Sequence, residues 1–256
     1  MIVWDQTTNL YSQMNTKKDR KGTVMNVSRK IGKRLVSFAG LSKPTAISLL
    51  DEIMLLKARI KSNYPKQRRK LSSIQRSSEI RLNIGCGLTR YTDWIGVDMC
   101  SGEATDLILD LRRSLPFSNE TVDYCYSEHF AEHLYPEEFD AHLKDVHRIL
   151  RKGGIYRLVV PHAQRFFQNY IEENDDYFKQ AFPWANSNLE AVYCMCNWHG
   201  IHRSIFDIRF VTEKSLKVGF STCMEVGPNE SNISNFSIPV KSKQRELESL
   251  YIEIEK

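Results

Sequence analysis

The stretch from Arg81 to Asp98, Arg-Leu-Asn-Ile-Gly-Cys-Gly-Leu-Thr-Arg-Tyr-Thr-Asp-Trp-Ile-Gly-Val-Asp, constrains the fold more than any other part of this chain. Leu82 and Ile84 lie in a short β run that stops at Gly85-Cys86-Gly87, where residues without bulk let φ go positive and let a ligand approach the backbone. Ile95 and Val97 begin a second strand that ends on Asp98. An acid at the tip of a second parallel strand can accept from both hydroxyls of a ribose. By itself Gly-x-Gly is equally a tight turn. Only ten residues separate Gly87 from Asp98, too few for the glycine-rich turn, full helix and acid about 20 residues on that dinucleotide binding needs, so NAD is disfavoured.

These residues resemble class I S-adenosylmethionine-dependent methyltransferases, in the type-11-like branch often associated with polysaccharide biosynthesis. The resemblance rests on Leu82 to Gly87 and Trp94 to Asp98. It continues through Asp110-Leu111, Leu115-Pro116-Phe117, Val122-Asp123, Ser127 to Leu134, Leu150 to Gly154, Val160-Pro161 and Glu248 to Tyr251, covering roughly residues 80 to 256. It implies an α/β, Rossmann-like sandwich: a mostly parallel seven-stranded sheet with an antiparallel closing strand. It also implies S-adenosyl-L-methionine as cofactor, held by Asn83, Ile84, Gly85, Cys86, Gly87, Asp98, Asp110, Leu111 and Ser127. Asp110 would accept from the adenine amino group, with a plain turn cap as its alternative.

Charge divides the chain. Residues 1–81 hold 18 Lys+Arg against 5 Asp+Glu, whereas the remainder holds 18 against 26. The expected organisation is therefore a basic extension over 1–78 and a methyltransferase domain over 79–256. In the extension, Val24, Val27, Ile31, Leu35 and Phe38 recur at helical spacing; a second helix is expected over about 46–60, then a basic linker over 57–76. Either residues 24–76 meet an anionic membrane surface, or the apolar stripes pack on the domain or a second chain. The N-terminus has no apolar run of signal-peptide length, and no segment is apolar enough to span a bilayer. Six scattered cysteines suggest reduced thiols. The expected location is cytoplasmic, with peripheral attachment to the inner face of a membrane left open.

His129-Phe-Ala-Glu132-His133 fits the His-x-x-Glu-His pattern of inverted zinc peptidases. Its context argues against that chemistry: it follows a strand directly and meets Pro136 almost at once, where a zinc peptidase needs a long helix. No metal is assigned. Pro136 to Leu150 is the clearest helix, with Phe139, Leu143, Val146 and Leu150 on one stripe, acids in its first turn and arginines at its end. Strand, helix, strand in this order gives a parallel crossover that gathers Gly85, Asp98, Asp110, Ser127 and His162 at one carboxyl edge. The aromatic-rich segment near 163–205 reads equally as an insertion over the crevice, setting acceptor selectivity, or as a local core. Two closing strands are expected near 222–226 and 250–254.

An activated methyl donor mainly needs its acceptor held in line, and a hydroxyl acceptor also needs its proton removed. His129 and His162, just past the fourth and fifth strands, are the candidate general bases, with His133 and His202 behind them; a structural hydrogen-bonding role is the alternative for each. The family usually carries an acid where His162 stands. The expected activity is methyl transfer, O-methylation foremost, to a small-molecule or glycan acceptor. Two alternatives stay open: an RNA-directed enzyme guided by the basic arm, although no RNA-binding module is present, and a non-catalytic membrane-associated scaffold.

Overall fold

The computed structural model describes residue 40 and residues 42–256. The helix expected over 24–38 lies outside them. Strands β1 (Arg81–Ile84), β2 (Ile95–Asp98), β3 (Leu107–Ile108), β4 (Val122–Glu128), β5 (Leu150–Pro161), β6 (Thr222–Glu225) and β7 (Ser249–Glu255) form one sheet. The order is β3-β2-β1-β4-β5-β7-β6. Every pair from β3 to β5 is parallel, while β7 runs antiparallel to both β5 and β6. The fold is thus the expected Rossmann-like sandwich, and the turns after β1 and β2 lie at the carboxyl edge of the sheet, where folds of this kind bind ligands.

Burial explains the strand assignments. Leu82 and Ile84 on β1 and Leu158 and Val160 on β5 are almost wholly buried, as central parallel strands require. β3 is shorter than the expected third strand over 105–111. Asp106 interrupts it by spending its carboxylate on the Gly96 amide at 2.9 Å and on Lys70 and Arg90. Gly96 itself is required: a Cβ there would sit 1.9 Å from the Ala104 carbonyl oxygen.

Helix α1 runs over Lys43–Ser62 and α2 over Pro65–Ile74. The segment 57–76 is therefore not a linker. Pro65 sits in the first turn of α2, where its missing N–H costs nothing, so it opens a helix instead of breaking one. The two helices bury Ala46, Leu50, Leu55, Ala58 and Ile74 against the domain. Polar ties join them to the β3 edge: Gln67 accepts from the Ile108 amide, and Lys70 meets Asp106 at 2.8 Å. A second row on α1, Leu49, Ile53, Leu56 and Ile60, faces outward. No helix among the described residues is long and apolar enough to cross a membrane.

Helix α3 (Pro136–Ile149) has Phe139, Leu143, Val146 and Ile149 buried on one face, against Phe206 and Val211. Glu138 accepts from the Tyr135 amide and closes its first turn. The segment after β5 folds into α4 (Ala163–Ile171), α5 (Asp175–Ala181) and α6 (Asn188–Asn197), whose Phe166, Tyr177, Phe178, Phe182 and Met195 make a hydrophobic cluster of their own. The opposite face of β4, β5 and β7 is covered by Trp94, Ile233 and Ile238. Helices α7 (Ile208–Val218) and α8 (Lys243–Glu248) lead into β6 and β7 respectively.

Candidate active site

The glycine turn leaves β1 with Gly85 at φ +71° and Gly87 at φ +54°. Gly85 could not be another residue: a Cβ there would lie 2.8 Å from the Cβ of Phe130. Asp98, 4% exposed at the end of β2, accepts from the Gly87 amide at 3.0 Å and from the Cys100 amide at 2.9 Å, one per carboxylate oxygen. Asn83 Nδ2 reaches the Thr89 carbonyl at 3.5 Å across the turn. Ile84 is core. Cys86 is buried, and burial pushes its thiol up to about 12, so it is inert at neutral pH.

Asp98 and Leu111 share a cavity of about 30 Å³ with Phe130, Leu134 and Leu55. That is far below the roughly 300–1,000 Å³ of small-molecule sites. The filler is α1. Leu55 occupies the cavity wall, and Arg59 Nε meets Asp110 Oδ2 at 2.7 Å, while Arg112 donates its backbone amide to Asp110 Oδ1 at 3.1 Å. Arg112 in turn holds Glu52 of α1 by two bonds. On the same helix Asp51 is buried with neither carboxylate oxygen hydrogen-bonded, and burial raises its pKa.

The other expected site residues do not converge on that cavity. Ser127 is fully buried beneath the sheet edge, its hydroxyl 2.7 Å from that of Tyr156. That bond belongs to the core, because alternate residues of β4 face opposite sides of the sheet. His162 is the N-cap of α4: its Nδ1 accepts from the Arg165 amide at 3.4 Å, and burial lowers its pKa to about 4. His129, at φ +51°, places Nε2 2.9 Å from Ser249 Oγ and Nδ1 3.2 Å from Glu132 Oε1. Burial holds its pKa well below the usual range, so the ring is neutral.

Leu55, Arg59 and Glu128 left no sequence signal of a role at this edge. Leu55 and Arg59 read only as part of a basic amphipathic helix. Glu128, closing β4, gathers Lys241 at 2.6 Å and the hydroxyls of Tyr126 and Tyr91 at 3.1 and 3.5 Å. A carboxylate beside two phenols at a sheet's carboxyl edge can order a polar acceptor. His202 joins Glu132 and His133 from 69 residues downstream of His133.

Residues 82–158, from the glycine turn's strand to the middle of β5, match the sequence profile of a family described as a methyltransferase domain. Over these residues the chain is similar to a methyltransferase domain. It is an enzyme, and its cofactor is S-adenosylmethionine. No curated protein matches the chain. Among solved structures it is similar to a SAM-dependent methyltransferase from Archaeoglobus fulgidus, at 15% identity and TM-score 0.41, over 75% of this chain and 92% of that one. It is similar also to an S-adenosylmethionine-dependent methyltransferase from Mesorhizobium loti, at 13% identity and TM-score 0.40, over 76% and 99%.

The methyltransferase domain's own residues fit the cofactor chemically. The Asp98 carboxylate faces a cavity with an apolar Leu111 wall beside a glycine turn, although α1 leaves too little volume.

Proposed function

We propose that the enzyme methylates a hydroxyl of a small-molecule or glycan acceptor. The observation that carries the reading is the Asp98 carboxylate, held by the Gly87 and Cys100 amides at the wall of a cavity shared with Leu111. On this reading Asn83 to Gly87 shape the turn, Asp98 holds the ribose, and Leu111 and Asp110 border the adenine. Ser127 is dropped, because its hydroxyl is spent on Tyr156. The basic extension over 1–78 and the domain over 79–256 are then one working unit, since α1 must move for the cofactor to enter.

When bound, the cofactor supplies a methyl group already activated on sulfur, so the protein's task is to hold the acceptor and take its proton. His129 suits the second task better than His162. Its Nδ1 lies 3.2 Å from Glu132, and its Nε2 would have to exchange the buried Ser249 hydroxyl for that of the acceptor. His162 would have to give up the cap of α4.

Calorimetry with S-adenosylhomocysteine tests the cofactor side. A protein whose competent state is a minor fraction binds with its affinity reduced by that fraction. The double variant Leu55→Ala, Arg59→Ala should therefore bind about tenfold more tightly than wild type. Weaker binding would mean that α1 is part of the site and not its plug. Labelled methyl transfer into a nuclease-resistant, sugar-containing fraction is expected; label lost on nuclease treatment would make the acceptor RNA.

The outward row Leu49, Ile53, Leu56 and Ile60 on α1 favours an acceptor presented at an anionic membrane surface. The full chain should float with acidic vesicles and Leu56→Glu, Ile60→Glu should not. No flotation of wild type would leave the acceptor soluble.

A further inference from the structure

The His-x-x-Glu-His segment ends in a 3₁₀ turn, Ala131–His133, directly after β4. Phe130 and Leu134 point to the small cavity beside Asp98, while Glu132 and His133, each 1% exposed, are turned the other way, towards the chain after α6. There one ligand atom each of Glu132, His133 and His202 lies within 4.8 Å of the other two. A buried carboxylate and two imidazoles do not assemble by chance of packing, since each loses its hydration on burial.

The backbone builds the cluster. The Glu132 carbonyl accepts from the Arg203 amide at 2.7 Å and from the Ser204 amide at 3.2 Å, and the Leu134 carbonyl accepts from Ser204 Oγ at 2.7 Å. These bonds dock the strand-like segment after His202 onto the turn and fix His202 opposite His133. The ring centroids are 5.2 Å apart, and Trp198 stacks on the outer face of His202.

Proton placement in the two rings then follows from their partners. His133 Nδ1 faces the Ile201 carbonyl at 3.2 Å, and His202 Nδ1 faces the Met195 carbonyl at 2.7 Å. A carbonyl only accepts, so each Nδ1 carries the hydrogen and, in a neutral ring, the lone pair is on Nε2. That of His133 is buried with no hydrogen-bond partner. An imidazole that donates Nδ1–H to a backbone carbonyl and aims Nε2 at a carboxylate and a second imidazole has the orientation that metal-binding histidines share.

We propose that Glu132, His133 and His202 bind one divalent transition-metal ion, zinc foremost. Two nitrogens and one carboxylate suit zinc and its neighbours; magnesium and calcium require oxygen-rich sets. Three protein ligands leave a fourth position, and the half-buried side at His202 is where water or an oxygen of a ligand would enter. The site is not the helical zinc-peptidase arrangement: its third ligand comes from another part of the chain, and no hydrolysis is implied. Glu132 also meets His129 at 3.2 Å, so an ion here would fix the orientation of that ring.

The test uses the full chain without a histidine tag, stripped with chelator and titrated with Co²⁺ and then Zn²⁺. Wild type should take up one Co²⁺ per chain, develop the visible bands of a low-coordinate nitrogen–oxygen site, and lose them to Zn²⁺ but not to Mg²⁺. His202→Ala, the least buried of the three, and Glu132→Gln should each weaken uptake by about 100-fold or more. Cys194→Ser, Cys196→Ser should leave it unchanged, which excludes the nearby thiols. Stripped wild type that stays colourless and metal-free, or His202→Ala that binds as wild type does, overturns the site. Calorimetry with S-adenosylhomocysteine on the same samples keeps the two proposals apart: cofactor binding without metal uptake defeats only the metal site, and the reverse defeats only the proposed function.

Discussion

Asp98→Asn should cost the enzyme about 100-fold in affinity for S-adenosylhomocysteine, and Asp98→Ala at least as much. The argument starts from the two backbone bonds. Each carboxylate oxygen accepts one amide, Gly87 on one side and Cys100 on the other. An asparagine keeps the shape but must turn its NH₂ group towards one of those amides, setting donor against donor whichever way the side chain flips. Leaving one buried amide unsatisfied costs about 1–3 kcal/mol, and a charged acceptor lost to a ligand hydroxyl costs about 1.5–3 kcal/mol. Each unit of 1.4 kcal/mol is a factor of about ten in affinity. Calorimetry, with thermal melting on the same samples, separates the two losses. Asp98→Asn binding as tightly as wild type would remove the carboxylate from the cofactor site.

How much of this was legible in advance differs between sheet and site. The strands followed from local pattern: Leu82 and Ile84 before a glycine turn, Ile95 and Val97 before an acid, and a capped, striped helix between β4 and β5. Each of those signals is complete within about fifteen residues, the range over which periodicity and capping act. Positions that depend on distant partners were not legible. Ser127 looks like a ligand-facing residue at a strand end, yet strand alternation and the Tyr156 hydroxyl, 29 residues away, turn it inward. His162 stands where the family usually has an acid, but the chain entering α4 needs a cap, and a neutral imidazole nitrogen supplies it. Asp110 was readable as an acceptor; that Arg59 would reach it from 51 residues upstream was not.

The arm shows the same limit from the other side. Its charge and amphipathicity were plain, and they fit a membrane, a nucleic acid or the chain's own domain equally well. Packing decides for α1 and α2, because the domain presents Asp106 and Asp110 at the β3 edge to Lys70 and Arg59. Complementary charges on two segments of one sequence specify a dock only once the fold places them together. The His-x-x-Glu-His motif is a converse case. Its two local residues were visible, but His202 arrives through backbone bonds to the Glu132 carbonyl, which leave no trace in residue type.

Acid should unfold this protein well before its surface carboxylates titrate. His142 and His162 have pKa values lowered by burial to about 4, and His129 and His133 lie well below the ordinary value for the same reason. In the unfolded chain all four titrate near 6.5. The unfolded state therefore binds more protons between pH about 6.5 and about 4, so the stability from these neutral rings is complete above 6.5 and is lost as pH falls through that window. At 1.36 kcal/mol per unit, His142 and His162 each lose about 2 kcal/mol by pH 5. Four such groups together approach the whole stability of an ordinary domain, about 5–15 kcal/mol. Asp51 works in the opposite sense: its raised carboxyl pKa means that acid relieves a cost, but it is one group against four. Urea unfolding at pH 7.5, 6 and 5 should show midpoints falling steeply, with a slope near four protons. His142→Gln, which can still hydrogen-bond the Tyr156 hydroxyl that His142 meets at 3.2 Å, should reduce that slope by one. Stability that stays level from pH 7.5 to 5 would mean that these histidines are not buried neutral in solution, and the packing around β4 would need to be redrawn.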